Sequence, residues 1–252
     1  VVSPWNYPVQ LALAPVITAL AAGNRVMLKP SELTPRTSAL MAELLHPQFA
    51  ADELRVVLGD ASVASDFASL PFDHLLFTGS TPVGRKVAQA AAANLIPATL
   101  ELGGKSPVII DETADLRLAA ETLLWGKFTN CGQICVAPDH VFVHESVKDR
   151  FVGECRQVLA DRFGATPADQ RKSPDYARVI NQRHTKRVAG LLQEAQSKGA
   201  KVLAGGDVDV ATCYIAPTLI DQVPADASIM NEEIFGPILP VIGYTDIDQV
   251  VR

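Results

Sequence analysis

The sequence predicts an α/β protein, with a parallel-sheet domain over residues 1–103 and a second α/β domain over residues 104–252. Three observations predict it. Short apolar segments that read as strands alternate with longer segments that read as helices, the order that parallel sheets with crossover helices require. Gly103-Gly104 interrupts the chain between one such series and the next, and two adjacent glycines break any element. A chain of 252 residues, 48% apolar and 20% charged, can also bury two cores.

In order, Val1-Val2 reads as the tail of a strand, and the loop Ser3-Pro4-Trp5-Asn6-Tyr7-Pro8 leads into an Ala/Leu-rich helix over 11–22. Gly23-Asn24 ends that helix as a C-terminal cap, and Pro15 is tolerable only near its first turn. A short strand over 25–28 stops at Lys29-Pro30, a helix covers 36–45, and a strand over 54–58 is followed by a short polar helix or loop. A third strand, 74–78, runs into Gly79-Ser80-Thr81-Pro82 and a helix over 83–94, with a further strand over 98–101. Beyond the glycines come a strand over 108–110, helix 116–129, strand 140–143, helix 147–163, helix 178–198 and strand 201–203. Segments 214–219 and 239–244 read as edge or returning strands, and 246–252 as a starting helix. A chain that opens on a strand tail and closes inside a helix reads as part of a longer protein.

Acidic residues number 28 against 22 basic ones, a net charge of −6, which gives no electrostatic reason for nucleic acid or an anionic membrane as partner. The longest apolar stretch, 11–23, falls short of the ~18–20 residues of a membrane span, and no basic segment precedes it as in a signal peptide. Four cysteines are too few for a disulfide scaffold and point to a reducing compartment, the cytoplasm.

Four segments carry chemistry. Asn130-Cys131-Gly132-Gln133-Ile134-Cys135-Val136-Ala137-Pro138-Asp139 places Cys135 in a glycine-containing loop just after a helix. Backbone amides around such a sulfur lower its pKa and hold an oxyanion; the bland alternative is a small buried hydrophobe. Leu100-Glu101-Leu102-Gly103-Gly104-Lys105 puts a carboxylate in an apolar strand end, either a paired buried acid or a general base of raised pKa. Phe77-Thr78-Gly79-Ser80-Thr81-Pro82-Val83-Gly84 reads as strand, glycine–hydroxyl turn and helix N-terminus. That arrangement binds phosphate, although its glycine spacing is not the dinucleotide fingerprint and an ordinary strand–helix turn also fits. Asn231-Glu232-Glu233-Ile234-Phe235-Gly236-Pro237 sets Glu233 and Phe235 two apart, on one face of an extended segment, as a ribose acceptor and a stacking ring would be. Cys131, Cys135, His140 and His144 imitate a metal-binding spacing, but the pairs lie far closer than the ~12 residues of a zinc finger, so no metal is expected. Residues 183–187 read as a solvated helix face.

Taken in order, and with Pro4-Trp5-Asn6-Tyr7-Pro8 and Lys29-Pro30-Ser31-Glu32, these motifs resemble the motif series of the aldehyde dehydrogenase superfamily across nearly the whole chain. Gln133-Ile134-Cys135-Val136-Ala137-Pro138-Asp139, with Leu239-Pro240-Val241 later, is similar to the class 3 branch and its bacterial coniferyl aldehyde dehydrogenase relatives. The resemblance implies a Rossmann-like cofactor domain over 1–103 and a catalytic domain over 104–252, both incomplete because family members extend past both ends. It implies Cys135 as the nucleophile, the Asn6 amide with the Cys135 N–H as oxyanion donors, and Glu101 as the base that activates water. Lys29 and Glu32 match adenosine-ribose residues, Gly79 and Ser80 the pyrophosphate contact, Glu233 and Phe235 the nicotinamide-ribose and ring contacts, and Trp5 a residue beside the cofactor.

Glu32 would repel a 2′-phosphate, which favours NAD; Lys29 could offset that and leaves NADP open. The resemblance further implies an aldehyde substrate, aromatic or long-chain by branch, and a homodimer or higher homo-oligomer in the full-length protein. Two other readings stand beside it: a nucleotide-binding or structural module without turnover, and acyl transfer to coenzyme A, which has no use for the Glu101 base. Cys131 is placed to trap the nucleophile as a disulfide or is incidental, while Cys155 and Cys213 read as structural.

Overall fold

The computed structural model describes residues 1–251, which form two compact units, Val1–Gly103 and a second that begins at Gly104. The first unit runs α1 (Gln10–Ala21), β1 (Val26–Leu28), α2 (Pro35–Leu45), β2 (Leu54–Val56), α3 (Ala61–Ala68), β3 (Leu75–Thr78), α4 (Thr81–Ala93) and β4 (Ala98–Glu101). β1 pairs with β2 and β3 with β4, both parallel, and Val2 joins the two pairs through parallel bridges to Lys29 and Phe77. Its N–H donates to the Leu76 carbonyl at 2.8 Å, and its own carbonyl accepts from Thr78 at 3.0 Å. The order β2, β1, Val2, β3, β4 is thus wholly parallel, which requires the helical crossovers that the sequence alternation encodes. Buried Val26, Leu28, Leu54 and Val56 form one core with α1 and α2, and Leu75, Phe77, Val87 and Ala91 form another beneath α4.

Two local expectations change. Pro15 lies in the middle of α1 rather than its first turn. The helix tolerates it at the cost of one ladder bond, because a proline nitrogen cannot donate. The polar stretch after β2 is a helix, α3, because the Asp60 carboxylate caps it by accepting from the Ser62 and Val63 amides.

The second unit runs β5 (Pro107–Ile110), α5 (Leu116–Phe128), a 3-10 turn (Thr129–Gly132), β6 (His140–His144), α6 (Glu145–Phe163), α7 (Pro167–Lys172) and α8 (Gln182–Ser197). It continues β7 (Lys201–Ala204), β8 (Val208–Asp209), β9 (Tyr214–Ile215), β10 (Thr218–Asp221), α9 (Ser228–Asn231), β11 (Ile238–Tyr244) and α10 (Asp248–Val251). Five strands form one sheet in the order β5-β6-β11-β10-β7, parallel except for β7 against β10.

β11, expected as an edge or returning strand, is the central one. Its first four residues are all buried, as a strand covered on both faces must be. The expected strand over 214–219 divides at Ala216-Pro217, since a proline cannot donate to a ladder, and β10 too lies inside the sheet. α8 starts at Gln182 rather than 178, where the Asn181 side chain accepts from the His184 amide as its cap. α7, which the sequence did not announce, carries a capping box between Thr166 and Asp169. The last residue of the helix expected over 246–252 lies outside the described residues. Among the described residues no helix is long and apolar enough to cross a membrane.

Candidate active site

In the first unit the predicted residues gather at the carboxyl ends of the parallel strands, where open α/β sheets bind ligands. Trp5 and Asn6, both half-buried, lie in the loop that follows Val2. Lys29 ends the β1 ladder with its side chain 1% exposed; its Nζ donates to the Pro30 carbonyl at 2.8 Å and lies 3.7 Å from the Glu32 carboxylate, which stays exposed. Burial pushes the Lys29 amine below its ordinary pKa, and the charges of Glu32 and Asp60 pull the other way.

Gly79 closes β3, its N–H donating to the Glu101 carbonyl at 3.0 Å, and a Cβ there would sit 2.6 Å from the Phe77 ring. Ser80 is the N-cap of α4, yet its hydroxyl makes no capping bond. Among the described residues the amides of Ser80, Thr81 and Val83 find no acceptor either. A free hydroxyl, free first-turn amides and the positive helix end fit a pyrophosphate, and the buried Lys29 beside a carboxylate fits a ribose diol, so these residues suit a dinucleotide.

Glu101 is the last residue of β4, and its side chain is exposed. Among the described residues β4 pairs with β3 alone and is mostly exposed along its length, so this carboxylate is not buried among them.

In the second unit, the turn after α5 carries three successive residues in the left-handed region, Asn130 (φ 50°), Cys131 (φ 57°) and Gly132 (φ 72°). Only glycine suits the third, since a Cβ on Gly132 would lie 2.4 Å from the Gly236 carbonyl oxygen. The buried Gln133 amide locks the turn: Nε2 donates to the Asn130 and Arg178 carbonyls at 2.9 and 3.1 Å, and Oε1 accepts from the Ile180 amide at 2.9 Å. Cys135 follows in a tight turn, half-buried and unbridged. Among the described residues its backbone N–H donates to no acceptor. Cys131 is no partner for it. That thiol is fully buried, points at the Tyr176 hydroxyl at 3.7 Å, and burial pushes its pKa up to about 12.

The structure brings the Cys135 turn and the Glu233–Phe235 stretch together, but not as the sequence suggested. Phe235 has φ 46°, so the segment turns there instead of running extended, and the same-face argument fails. The turn brings the Gly236 backbone against Gly132 and Val188. Glu233 is half-buried, with Oε1 accepting from the Gly104 amide at 3.3 Å; burial raises its pKa against the opposing effect of that bond and of Arg187 and Lys105. Arg187, expected on a solvated face, instead donates to the carbonyls of Glu233 and Ile234 at 3.2 and 2.5 Å, while Arg183 and Lys186 beside it stay exposed.

Sequence reasoning missed this supporting shell: Gln133, Arg187, the Lys105–Asp139 ion pair and Lys127. The available signal was a lysine amid apolar neighbours, Trp125-Gly126-Lys127-Phe128. Lys127 is fully buried, and that burial pushes its pKa down to about 8, with Asp139 the largest opposing influence. The unfolded chain holds this proton up to about 10.5, so Lys127 weighs against folding below pH 8 and the burden lifts as pH rises from 8 to 10.5. Lys127→Met is accordingly expected to stabilise the protein at pH 7 by on the order of 2 kcal/mol. Urea midpoints of the two proteins should converge by pH 10.5; a gap independent of pH would refute the assignment. Among the described residues no group of three or more His, Cys, Asp or Glu side chains is arranged to hold a metal ion.

Comparison with known proteins bears on the whole chain. The model of the aldehyde dehydrogenase family matches residues 1–252. A coniferyl aldehyde dehydrogenase of Pseudomonas is 48% identical over 256 residues, which cover 100% of this chain and 52% of that protein. The substrate-bound structure of Staphylococcus aureus AldH is 46% identical with a TM-score of 0.92, over 99% of this chain and 53% of that one. An indole-3-acetaldehyde dehydrogenase variant of P. syringae, solved with NAD+, is 30% identical with a TM-score of 0.89, over 99% of this chain and 52% of that one. The chain thus spans about half the length of the relatives it matches. With the family model matched along its full length, the chain belongs to the aldehyde dehydrogenase family.

Proposed function

We propose that this chain carries the nucleophile, the base and the dinucleotide contacts of an enzyme that oxidises an aldehyde to a carboxylic acid. The observation that carries the reading is the Cys135 turn: a half-buried thiol whose own amide is unclaimed, on a backbone locked by Gln133 and Gly132. As thiolate, Cys135 adds to the aldehyde carbon, and the oxygen that gains charge is held by its N–H and the Asn6 side-chain amide; such a donor is worth about 2.7–4 kcal/mol. When bound, a nicotinamide dinucleotide supplies the acceptor for the hydride that leaves this carbon. Cys135 then holds the acyl group as a thioester, and the Glu101 carboxylate takes a proton from the water that attacks it, freeing the acid and the thiol.

Ser80, Gly79, Lys29, Glu32, Glu233, Phe235 and Trp5 would hold that cofactor. NAD is favoured over NADP, because the Lys29 amine is already committed to Pro30 and Glu32 and cannot freely neutralise a 2′-phosphate. Glu32→Gln should therefore raise the NADP/NAD ratio of kcat/KM about tenfold; an unchanged ratio would remove Glu32 from the ribose site.

The substrate we propose is aromatic or long-chain, after the branch that the motifs resemble, and the whole protein a cytoplasmic homo-oligomer. Retention of Glu101 favours hydrolysis over acyl transfer to coenzyme A. The test is the rise of NADH absorbance when the whole protein meets NAD and benzaldehyde or a long-chain aldehyde; a flat trace with both sinks the proposal and leaves a nucleotide-binding module.

A further inference from the structure

We infer that Asp139 is a positioning residue that fixes the nicotinamide-ribose segment, residues 233–235, against the nucleophile turn, an inference that rests on the roles proposed for Cys135 and Glu233. Asp139 ends the loop that begins at Cys135, where its N–H donates to the Ser106 carbonyl at 2.9 Å. Its carboxylate is 3% exposed, with His140 Nδ1 3.5 Å from Oδ2, and it makes two further contacts. Oδ1 accepts at 2.9 Å from the amide of Ile234, the residue between Glu233 and Phe235. Oδ2 accepts from Lys105 Nζ, whose remaining donors reach the carbonyls of Ile229 at 3.0 Å and Glu232 at 2.8 Å.

The residue before that lysine, Gly104, donates its amide to the Glu233 carboxylate. One ion pair therefore sets both the backbone on either side of Glu233 and the donor to its side chain. The Asp139–Ile234 bond is buried and the ion pair part-buried, so there water competes little and the segment is held to a narrow range of positions. The close approach of Gly132 to Gly236 is a second rivet between the same two segments, so release at Asp139 would let the segment pivot there rather than detach.

A merely structural carboxylate would affect every activity alike. One that positions cofactor against sulfur affects only the step that needs both. In the whole protein, Asp139→Asn keeps an acceptor for Ile234 but drops the charge that draws Lys105. We expect NAD affinity by calorimetry to weaken about tenfold and kcat for NADH formation to fall about 10²-fold. Hydrolysis of p-nitrophenyl acetate without cofactor, which draws on the nucleophile, its oxyanion donors and the base but on no nicotinamide, should stay within about twofold.

Lys105→Met leaves the Asp139–Ile234 bond in place and should give the same split more weakly; it decides the matter if Asp139→Asn does not fold. Parallel loss of both activities, or loss of neither, overturns the inference. NADH formation that survives Cys135→Ala would instead overturn the proposed function, and the two failures are separate observations.

Discussion

Cys135→Ala in the whole protein lowers kcat for NADH formation by at least about 10⁴-fold, while NAD affinity stays within about twofold. In the proposed route alanine removes the atom that carries the acyl group, so no slower version of that covalent route remains. The substitution is also mild for the fold. The turn is held by the Gln133 amide and the Gly132 contact, neither of which involves the Cys135 sulfur. Cys131 cannot take over, because its buried thiol, with a pKa of about 12, is protonated at neutral pH and faces Tyr176. Stopped-flow absorbance with saturating NAD and aldehyde reads the loss, and residual turnover above about one per cent would remove Cys135 from the nucleophile's role.

Glu101→Gln separates the two halves of the reaction. NADH should appear in a burst of about one equivalent per Cys135, followed by a steady rate slowed by 10²- to about 10⁴-fold, the usual worth of a general base. The variant should fold normally, since the Glu101 side chain is exposed and only its backbone carbonyl, which glutamine keeps, accepts the Gly79 amide. The burst size is read at the NADH band and the trapped acyl group by a mass increment on Cys135. Slow turnover with no burst would place the loss before the thioester and sink Glu101 as the base. Full-rate turnover restored by coenzyme A would point to acyl transfer instead.

How much of this was legible beforehand follows from the range of each interaction. The alternation of elements was readable because burial repeats locally, with a period that survives in a dozen residues. The Cys135 loop and the Ser80 turn were readable for the same reason, each motif lying within ten residues. The supporting shell was not. Asp139 meets Ile234, and Lys105 meets Glu232, only after the sheet has brought distant parts of the chain together, and no local pattern records that. Arg187 looked solvated because the exposed Arg183 and Lys186 beside it share its charge but not its direction. Phe235 looked extended because φ near 46° is rare for a phenylalanine, and the close approach of the next residue, Gly236, to Gly132 and Val188 is one that the sequence does not display.

The central place of β11 also bears on how the second unit comes to be made. Among the described residues β5 and β6 on one side, β10 and β7 on the other, meet only through this strand, which is the last of the five in the chain. On the ribosome the two flanking pairs must therefore wait, each with an open edge, until residues 238–244 clear the exit tunnel. The second unit should gain protease resistance in one late step rather than strand by strand, and nascent chains that stop before Ile238 should be those that chaperones hold longest.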